Sequence, residues 1–236
     1  MVRAESFRSK TMGERVAAIT GGHGALGRAV VEAALAAGWT VAVIDHASGH
    51  AAPEGVLEVG GVDLTDPAQA KSAIDAVVAR YGRLDALLNI AGGFVWTPVE
   101  GDGEEWDRMH ALNVKTTLNA SRAALPHLKA SPEGRIVNVG ANGAIKAGHG
   151  MGAYAASKAG VHRLTEALAE ELKSTSVTVN AVLPSIIDTA ANRADMPDAD
   201  PSKWVAPADL AAVILFLASP EARAVTGALI PVMGKV

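Results

Sequence analysis

Short apolar runs alternate with longer amphipathic stretches along most of the chain. The short runs are rich in Val, Ile and Leu, a composition typical of buried strands. One run, Val56–Val62, is weaker because glycines interrupt it. We predict seven strands, which are Val16–Thr20, Thr40–Asp45, Val56–Val62, Leu84–Ile90, Arg135–Val139, Val177–Leu183 and Ala228–Val232.

The stretches between these runs have apolar residues at three- and four-residue spacing, which predicts helices. Gly38 ends the first of them. Asp66 and Pro67 have the order of an N-cap and a first helical residue. We predict helices at Ala25–Ala37, Pro67–Tyr81, Glu104–Leu128, Ala153–Lys173 and Pro207–Ser219.

Strands that alternate with helices of this length predict parallel strand–helix–strand units. We therefore expect an α/β fold, a single-domain Rossmann-type doubly wound parallel sheet of about seven strands with helices on both faces. No linker divides the chain, so residues 15–236 form one expected domain, preceded by a disordered leader at residues 1–14. Ligands of such sheets bind at the carboxyl ends of the strands.

The composition of the chain argues against several classes of function. The chain has 236 residues, 49% of them hydrophobic, and a net charge of -4, so nothing indicates a nucleic-acid partner. It has no cysteine and its seven histidines are scattered, so we expect no metal site. No apolar run approaches the roughly 20 residues of a membrane span. We therefore expect a cytoplasmic protein that acts on a small-molecule substrate.

A glycine-rich turn, residues 20–27, joins the first strand to the first helix. Glycines allow a tight turn and a close approach of the backbone to a pyrophosphate, and the helix N-terminus favours its charge. Asp45 ends the next strand, 18 residues beyond Gly27. Its carboxylate can accept both ribose hydroxyls of NAD and would repel the extra phosphate of NADP. His23 and His46 stand where a phosphate site would have Arg or Lys, so the predicted cofactor is NAD(H).

Tyr154 and Lys158 are four residues apart on a predicted helix and therefore share one face. A tyrosine with its ordinary pKa near 10 exchanges protons poorly at neutral pH. We expect the Lys158 ammonium, helped by an oxidised nicotinamide, to lower the pKa of Tyr154. Tyr154 is then a candidate general acid for hydride delivery and general base for the reverse reaction.

Several motifs occur in order: Thr-Gly-x-x-x-Ala-x-Gly at 20–27, Asn-Ile-Ala-Gly at 89–92, Asn113, Tyr-x-x-x-Lys at 154–158 and Pro-Ser-Ile-Ile-Asp-Thr at 184–189. Over residues 15–234 the chain thus resembles the short-chain dehydrogenase/reductase family. The resemblance implies that Lys158 bonds the nicotinamide ribose and that Asn113 holds a water linking Lys158 to solvent. It also implies a homodimer or homotetramer that pairs through the helices at 104–128 and 153–173. The cofactor contacts it implies are Gly21, His23, Ala25, Leu26, Gly27, Asp45, His46, Asp63, Leu64, Asn89, Ala91, Gly92, Tyr154, Lys158, Pro184, Ile187 and Thr189.

A narrower resemblance, to quinonoid dihydropteridine reductase, rests on residues 21–27, 91–94, 150–162 and above all 181–204. The chain departs from that group in keeping Asn113 and in ending soon after the last strand. The wider family has Ser or Thr thirteen residues before the tyrosine, where it bonds the substrate oxygen. Here that position is Ala141, and the dihydropteridine reductases also lack the serine.

Three explanations of Ala141 are open. A C=N or quinonoid substrate spreads charge over several atoms and needs that donor less, which is the explanation we favour. Asn142 can supply an amide donor instead, or the chain binds NAD without efficient turnover. Phe94 and Trp96 are candidates for stacking on a flat ring or for anchoring a loop, and residues 189–204 look like a mobile lid.

The residues therefore predict an NAD(H)-dependent oxidoreductase that transfers hydride between nicotinamide and a small, cyclic C=N or quinonoid substrate. The alternatives are a carbonyl/alcohol oxidoreductase of the 3-ketoacyl reductase kind and a catalytically silent NAD-binding protein. The predicted catalytic residues are Tyr154, Lys158 and Asn113. The predicted substrate contacts are Phe94, Trp96, Ala141, Asn142 and Tyr154.

Overall fold

Seven parallel strands form one sheet in the order β3-β2-β1-β4-β5-β6-β7. The computed structural model describes residues 15–49, 53–101 and 103–236, so the leader predicted at residues 1–14 lies outside the described residues. The expected Rossmann-type sheet is confirmed. The strands are β1 (Val16–Thr20), β2 (Thr40–Ile44), β3 (Leu57–Val59), β4 (Ala86–Asn89), β5 (Arg135–Val139), β6 (Thr178–Pro184) and β7 (Leu229–Val232).

Helices follow most strands, as predicted. The helix predicted at 104–128 is in fact two α-helices joined by a π-helical segment, His110–Lys115. Such a segment adds a residue to the turn and re-aims the side chains on it, which matters below for Asn113. The α-helices are α1 (Ala25–Ala36), α2 (Pro67–Tyr81), α3 (Glu104–Met109), α4 (Thr116–Ala130), α5 (Gly152–Leu172), α6 (Ala190–Asp195) and α7 (Pro207–Ala218).

Each face of the sheet carries its own hydrophobic core because successive strand residues point to opposite faces. In β1, Ala17 and Ile19 pack with α1 and α7, whereas Val16 and Ala18 face the core formed with α2, α4 and α5. Burial of each large aliphatic side chain contributes roughly 1.5–3 kcal/mol, so the two cores rigidly hold the strand ends.

The strand order reverses between β1 and β4, and the crevice at that switch is where ligands of such sheets bind. All strands are parallel, so their carboxyl ends meet at one edge. Within the described part of the chain, the edge strands of the sheet are β3, with three residues, and β7, in which Pro231 pairs with Leu183 of β6. Among the described residues, no helix has the length and hydropathy needed to cross a membrane.

Candidate active site

The glycine turn after β1 packs against the loop that follows β4. Gly21 has a φ of +69°, and a Cβ there would lie 2.8 Å from Ala91 Cα. A Cβ on Gly27 would lie 2.0 Å from the Gly21 carbonyl oxygen. Neither position accepts a side chain, and no side chain caps the start of α1. The first N–H groups of α1 are therefore directed at the same space as the glycine backbone, an arrangement that fits a pyrophosphate.

Asp45 leaves β2 beside this turn, as predicted. Its carboxylate accepts hydrogen bonds from the backbone N–H groups of His23 and Ala47, each at 3.0 Å. The His23 Nε2 atom lies 2.6 Å from Glu58 Oε1, and His46 is exposed to solvent. Glu58 was missed in the sequence because only the pairing of β3 with β2 brings it here. Two carboxylates therefore flank the expected ribose position.

The loop after β3 holds two further predicted contacts, Asp63 and Leu64. The Asp63 carboxylate accepts hydrogen bonds from the N–H and hydroxyl of Thr65. Leu64 is buried, and its carbonyl accepts a hydrogen bond from Asn119 of α4 at 3.0 Å. Both side chains stabilise the loop, so the groups they leave for a ligand are mainly backbone atoms.

Asn89, at the end of β4, is predicted to touch the cofactor, but its side chain points into the protein. Its amide donates to Ser121 Oγ at 3.2 Å and to Asn138 Oδ1 at 2.9 Å, and Asn138 in turn donates to Thr165. This buried network ties β4 and β5 to α4 and α5. Any contact between Asn89 and a ligand must therefore come from its backbone. Thr20 orients the next residues, since its hydroxyl accepts hydrogen bonds from the N–H groups after Asn89.

Tyr154 and Lys158 lie in the first turns of α5. The buried Lys158 Nζ donates to the Val139 carbonyl at 2.8 Å, and burial lowers the pKa of Lys158 to about 8. Burial raises the pKa of Tyr154 to about 12. The expected lowering of the Tyr154 pKa is therefore wrong for the protein alone, because burial removes water from the phenolate and disfavours the charged form.

Asn113 lies in the π-helical segment and is fully buried. Its amide accepts from the Gly93 N–H and donates to the Gly93 carbonyl and to Ser157 Oγ, each at 3.0 Å. A Cβ on Gly92 would lie 2.6 Å from Asn113 Oδ1 and 3.2 Å from Lys158 Nζ. Asn113 and Lys158 are thus brought to one place, and Ser157 links Asn113 to the Tyr154 carbonyl, to which its hydroxyl donates at 2.7 Å. Asn113 also positions the loop after β4 against these residues. Its expected role in holding a water remains a prediction.

Ala141 follows β5 and is 3% exposed. Its methyl group stands in the position of the expected serine hydroxyl, and its N–H donates to His162 Nε2 at 3.3 Å. Asn142 is half-buried and begins a short 3-10 turn that ends at Ala144. The expected replacement of the serine by the Asn142 amide remains a prediction.

An aromatic wall, formed by Phe94 and Trp96, borders the catalytic residues. The Phe94 ring meets the Tyr154 ring edge to face, with centroids 5.0 Å apart. The Trp96 Nε1 donates to the His149 carbonyl at 3.0 Å, and a Cβ on Gly150 would lie 2.2 Å from the indole. Phe94 and Trp96 are 53% and 55% exposed, so their free faces are open to a substrate. Trp96 therefore anchors a loop, which is one of the two roles considered for it, and its stacking on a substrate remains a prediction.

The segment after β6 is tied down at its base. Pro184, the last residue of β6, is buried, and an isolated bridge joins Ile187 to Val205. Thr189 caps α6 by accepting a hydrogen bond from the Asn192 N–H at 3.1 Å. The buried Trp204 lies at the far end of this segment. The expected motion of residues 189–204 as a lid stays a prediction. Because both ends of the segment are held by these contacts, α6 and the exposed residues after it are the part for which we expect motion.

The geometry of this edge has known counterparts. The family model described as short chain dehydrogenase matches residues 15–200. A 2-(S)-hydroxypropyl-CoM dehydrogenase from Xanthobacter autotrophicus is 33% identical over 96% of this chain and 98% of its own length. A 3-oxoacyl-[acyl-carrier-protein] reductase from Thermotoga maritima is 34% identical over 73% of this chain and 74% of its own.

Among solved structures, a 3-ketoacyl-(acyl-carrier-protein) reductase from Brucella melitensis in complex with NADH has a TM-score of 0.83 and 28% identity. The match covers 93% of this chain and 97% of that one. The chain belongs to the short-chain dehydrogenase family and is an NAD(P)-dependent oxidoreductase. The narrower resemblance to dihydropteridine reductase is not shown by these relatives, which are diverse dehydrogenases and reductases.

Proposed function

We propose that the chain is an NAD(H)-dependent reductase of a small, flat, cyclic substrate with a C=N or quinonoid group. The observation that carries the proposal is Ala141, whose methyl group is buried at the position where the family resemblance predicts a serine or threonine. Loss of a donor to a developing oxyanion costs roughly 10²–10³ in rate. A substrate that spreads its charge over several ring atoms loses less, and the free faces of Phe94 and Trp96 suit a flat ring.

The catalytic residues handle the proton in this proposal. Bound NADH supplies the hydride. Tyr154, neutral because burial raises its pKa to about 12, donates a proton to the substrate nitrogen or oxygen. The phenolate left behind is the stronger base of the pair, since the pKa of Lys158 is about 8, so Lys158 can return the proton. The substrate gains one hydride and one proton in total.

The preference for NADH over NADPH is part of the same proposal. The carboxylate of Asp45 sits at the end of β2, and Glu58 places a second carboxylate beside His23. A 2′-phosphate brought to this place would meet two like charges, whereas ribose hydroxyls can donate to them. Comparison of kcat/KM with NADH and NADPH tests this, and a preference for NADPH contradicts it.

A carbonyl reductase of the 3-ketoacyl kind is the second candidate, and the Thermotoga and Brucella relatives favour it. The two candidates separate in one assay, the loss of NADH absorbance with quinonoid dihydropterin or with acetoacetyl thioesters. Turnover of the first substrate alone supports our proposal, and turnover of the thioester alone contradicts it. Normal NADH binding without turnover of either substrate, or of a broad panel of ketones, would instead support the silent NAD-binding protein.

A further inference from the structure

One buried histidine near the catalytic residues ends the stretch 150–162 of the narrower resemblance, but the motifs of the wider short-chain family give it no role. His162 lies on α5, one helical turn after Lys158, and is 4% exposed. A buried histidine often does no more than fill space in a core. The contacts of this one are instead with the residues that follow β5, where the missing serine would stand.

The imidazole of His162 is fitted to the backbone at residues 140 and 141. Its Nε2 accepts the N–H of Ala141 at 3.3 Å. A Cβ on Gly140 would lie 2.6 Å from Nε2 and 2.7 Å from Cδ2, so the ring occupies the space that any side chain at 140 would need. Gly140 also donates its N–H to the Val182 carbonyl of β6 at 2.9 Å.

The same face of α5 contacts the end of β5 at a second point, because Lys158 Nζ donates a hydrogen bond to the Val139 carbonyl at 2.8 Å. The ammonium of Lys158 therefore bonds the backbone at residue 139, and the imidazole of His162, one helical turn later, bonds the backbone at residue 141. The methyl side chain of Ala141 forms no hydrogen bond, so the residue is held through its backbone, by the bond from its N–H to His162 and the bond from the Ala144 N–H to its carbonyl. We infer that His162 is a positioning residue, which holds Ala141 and the catalytic Lys158 in register through the end of β5.

The hydrogen bond requires a particular form of the imidazole. Nε2 can accept from Ala141 only when it carries no proton, so the neutral ring has its proton on Nδ1. Burial, helped by the charges of Arg163 and Lys158, lowers the pKa of His162, which keeps the ring neutral. A neutral Nδ1–H tautomer is therefore the form that the contacts at residues 140 and 141 require.

The tautomer can be measured without any enzyme assay. Two-bond ¹⁵N–¹H spectra of the full chain labelled at histidine should show His162 as neutral Nδ1–H near pH 7. Exchange of the Ala141 amide with solvent should be slow. A neutral Nε2–H tautomer, an imidazolium at that pH or a rapidly exchanging Ala141 amide would overturn the inference, whatever substrate the enzyme uses.

Kinetics then separates positioning from packing. His162→Phe keeps the ring volume and removes the acceptor, whereas His162→Gln can place an amide oxygen near the position of Nε2. We expect kcat to fall on the order of 10-fold or more in the Phe variant, since misplacement of catalytic groups is costly, and to recover largely in the Gln variant. The dissociation constant of NADH should change less than kcat, because Asp45 and the glycine turn lie away from this contact and only the expected ribose contact of Lys158 depends on it.

The matched control is His127→Phe, which makes the same change on the partly exposed surface of α4 and should leave kcat at the wild-type value. Equal losses in the Phe and Gln variants, or a kcat that neither variant changes, contradict positioning. These assays use any substrate that the wild type turns over, so a wrong substrate proposal does not affect them. If His162→Phe fails to fold, the histidine spectrum and the Gln variant still decide the question.

Discussion

At the scale of single residues, Ala141 is the position at which we expect the two candidate kinds of substrate to respond differently. Ala141→Ser restores a hydroxyl at a position whose backbone is already fixed by His162. We expect activity on simple ketones to rise by about 10-fold or more, because one oxyanion donor is worth roughly 10²–10³ in rate when well aligned. Activity on quinonoid dihydropterin should change much less.

Steady-state kinetics with both substrates checks this prediction. Ala141→Val is the control, since it adds volume without a donor and should not help ketones. Failure of the serine variant to gain ketone activity would mean that the shape of the pocket, including Phe94 and Trp96, selects the substrate.

The buried ammonium of Lys158 predicts the response to pH. Burial lowers its pKa to about 8, below the ordinary value, so its charge is present below that pH and is lost above it. Tyr154 stays protonated throughout, since its pKa is about 12. We therefore expect kcat/KM for reduction to fall as pH rises through about 8 and to report Lys158 rather than Tyr154.

Lys158→Arg tests that assignment because guanidinium keeps its charge far above this range. The residual activity of this variant, measured from neutral to alkaline pH, should lose the decline near pH 8. A decline that persists unchanged in the variant would assign it to another group.

At the scale of elements, the close contact between the glycine turn and the loop after β4 carries a prediction about stability and binding. Gly21→Ala combines a φ of +69° with a Cβ 2.8 Å from Ala91 Cα. We expect it to lower the free energy of unfolding by roughly 1–3 kcal/mol and to weaken NADH binding strongly. Chemical denaturation and fluorescence titration measure the two effects.

Gly38→Ala is the matched control for this change. Gly38 has a φ of +80°, but nothing lies within 4 Å of the position of its Cβ. The Gly38→Ala variant should therefore show the effect of backbone strain alone. We expect its free energy of unfolding to fall by about 1 kcal/mol or more and its NADH binding to be unchanged. Equal NADH affinity in both variants would show that the turn does not form the cofactor site.

Most elements could be predicted from the sequence because strand and helix periods are local properties. Val16–Thr20 and Arg135–Val139 agree with the predicted bounds. The π-helical break at His110–Lys115 could not be predicted, since it depends on the fit of Asn113 between Gly93 and Ser157. The spacing of apolar residues is nearly the same on both sides of such a break, so it predicts one continuous helix.

The site was predictable to the extent that motifs name its residues. Contacts between distant parts of the chain could not be predicted from the motifs. Two examples are the contact of His23 with Glu58 and that of Ala141 with His162. The direction of the Tyr154 pKa shift was wrong for a related reason. Spacing reveals a nearby charge, whereas the extent of burial depends on the whole fold.

At the scale of the whole molecule, the helices α4 and α5 and the segment before α4 remain the expected pairing surface. We expect light scattering after size exclusion to give a mass of two or four times 24.1 kDa. A mass of one chain at assay concentration would contradict the homodimer or homotetramer. Repetition with NADH present would show whether the cofactor alters the assembly.

The two edge strands of the sheet, β3 and β7, affect the tendency of the chain to aggregate at high concentration. An open parallel edge offers unpaired N–H groups to any other extended chain, which is a route to aggregation. Here β3 has only three residues, and β7 has Pro231, which has no N–H to donate. The carbonyls of Ala228 and Val232 accept hydrogen bonds from the N–H groups of Ala181 and Ser185, so the backbone of residue 231, one residue before Val232, is directed away from β6. Replacement of this proline by valine would add an outward N–H donor to the edge and so remove one of its protections against pairing with another chain.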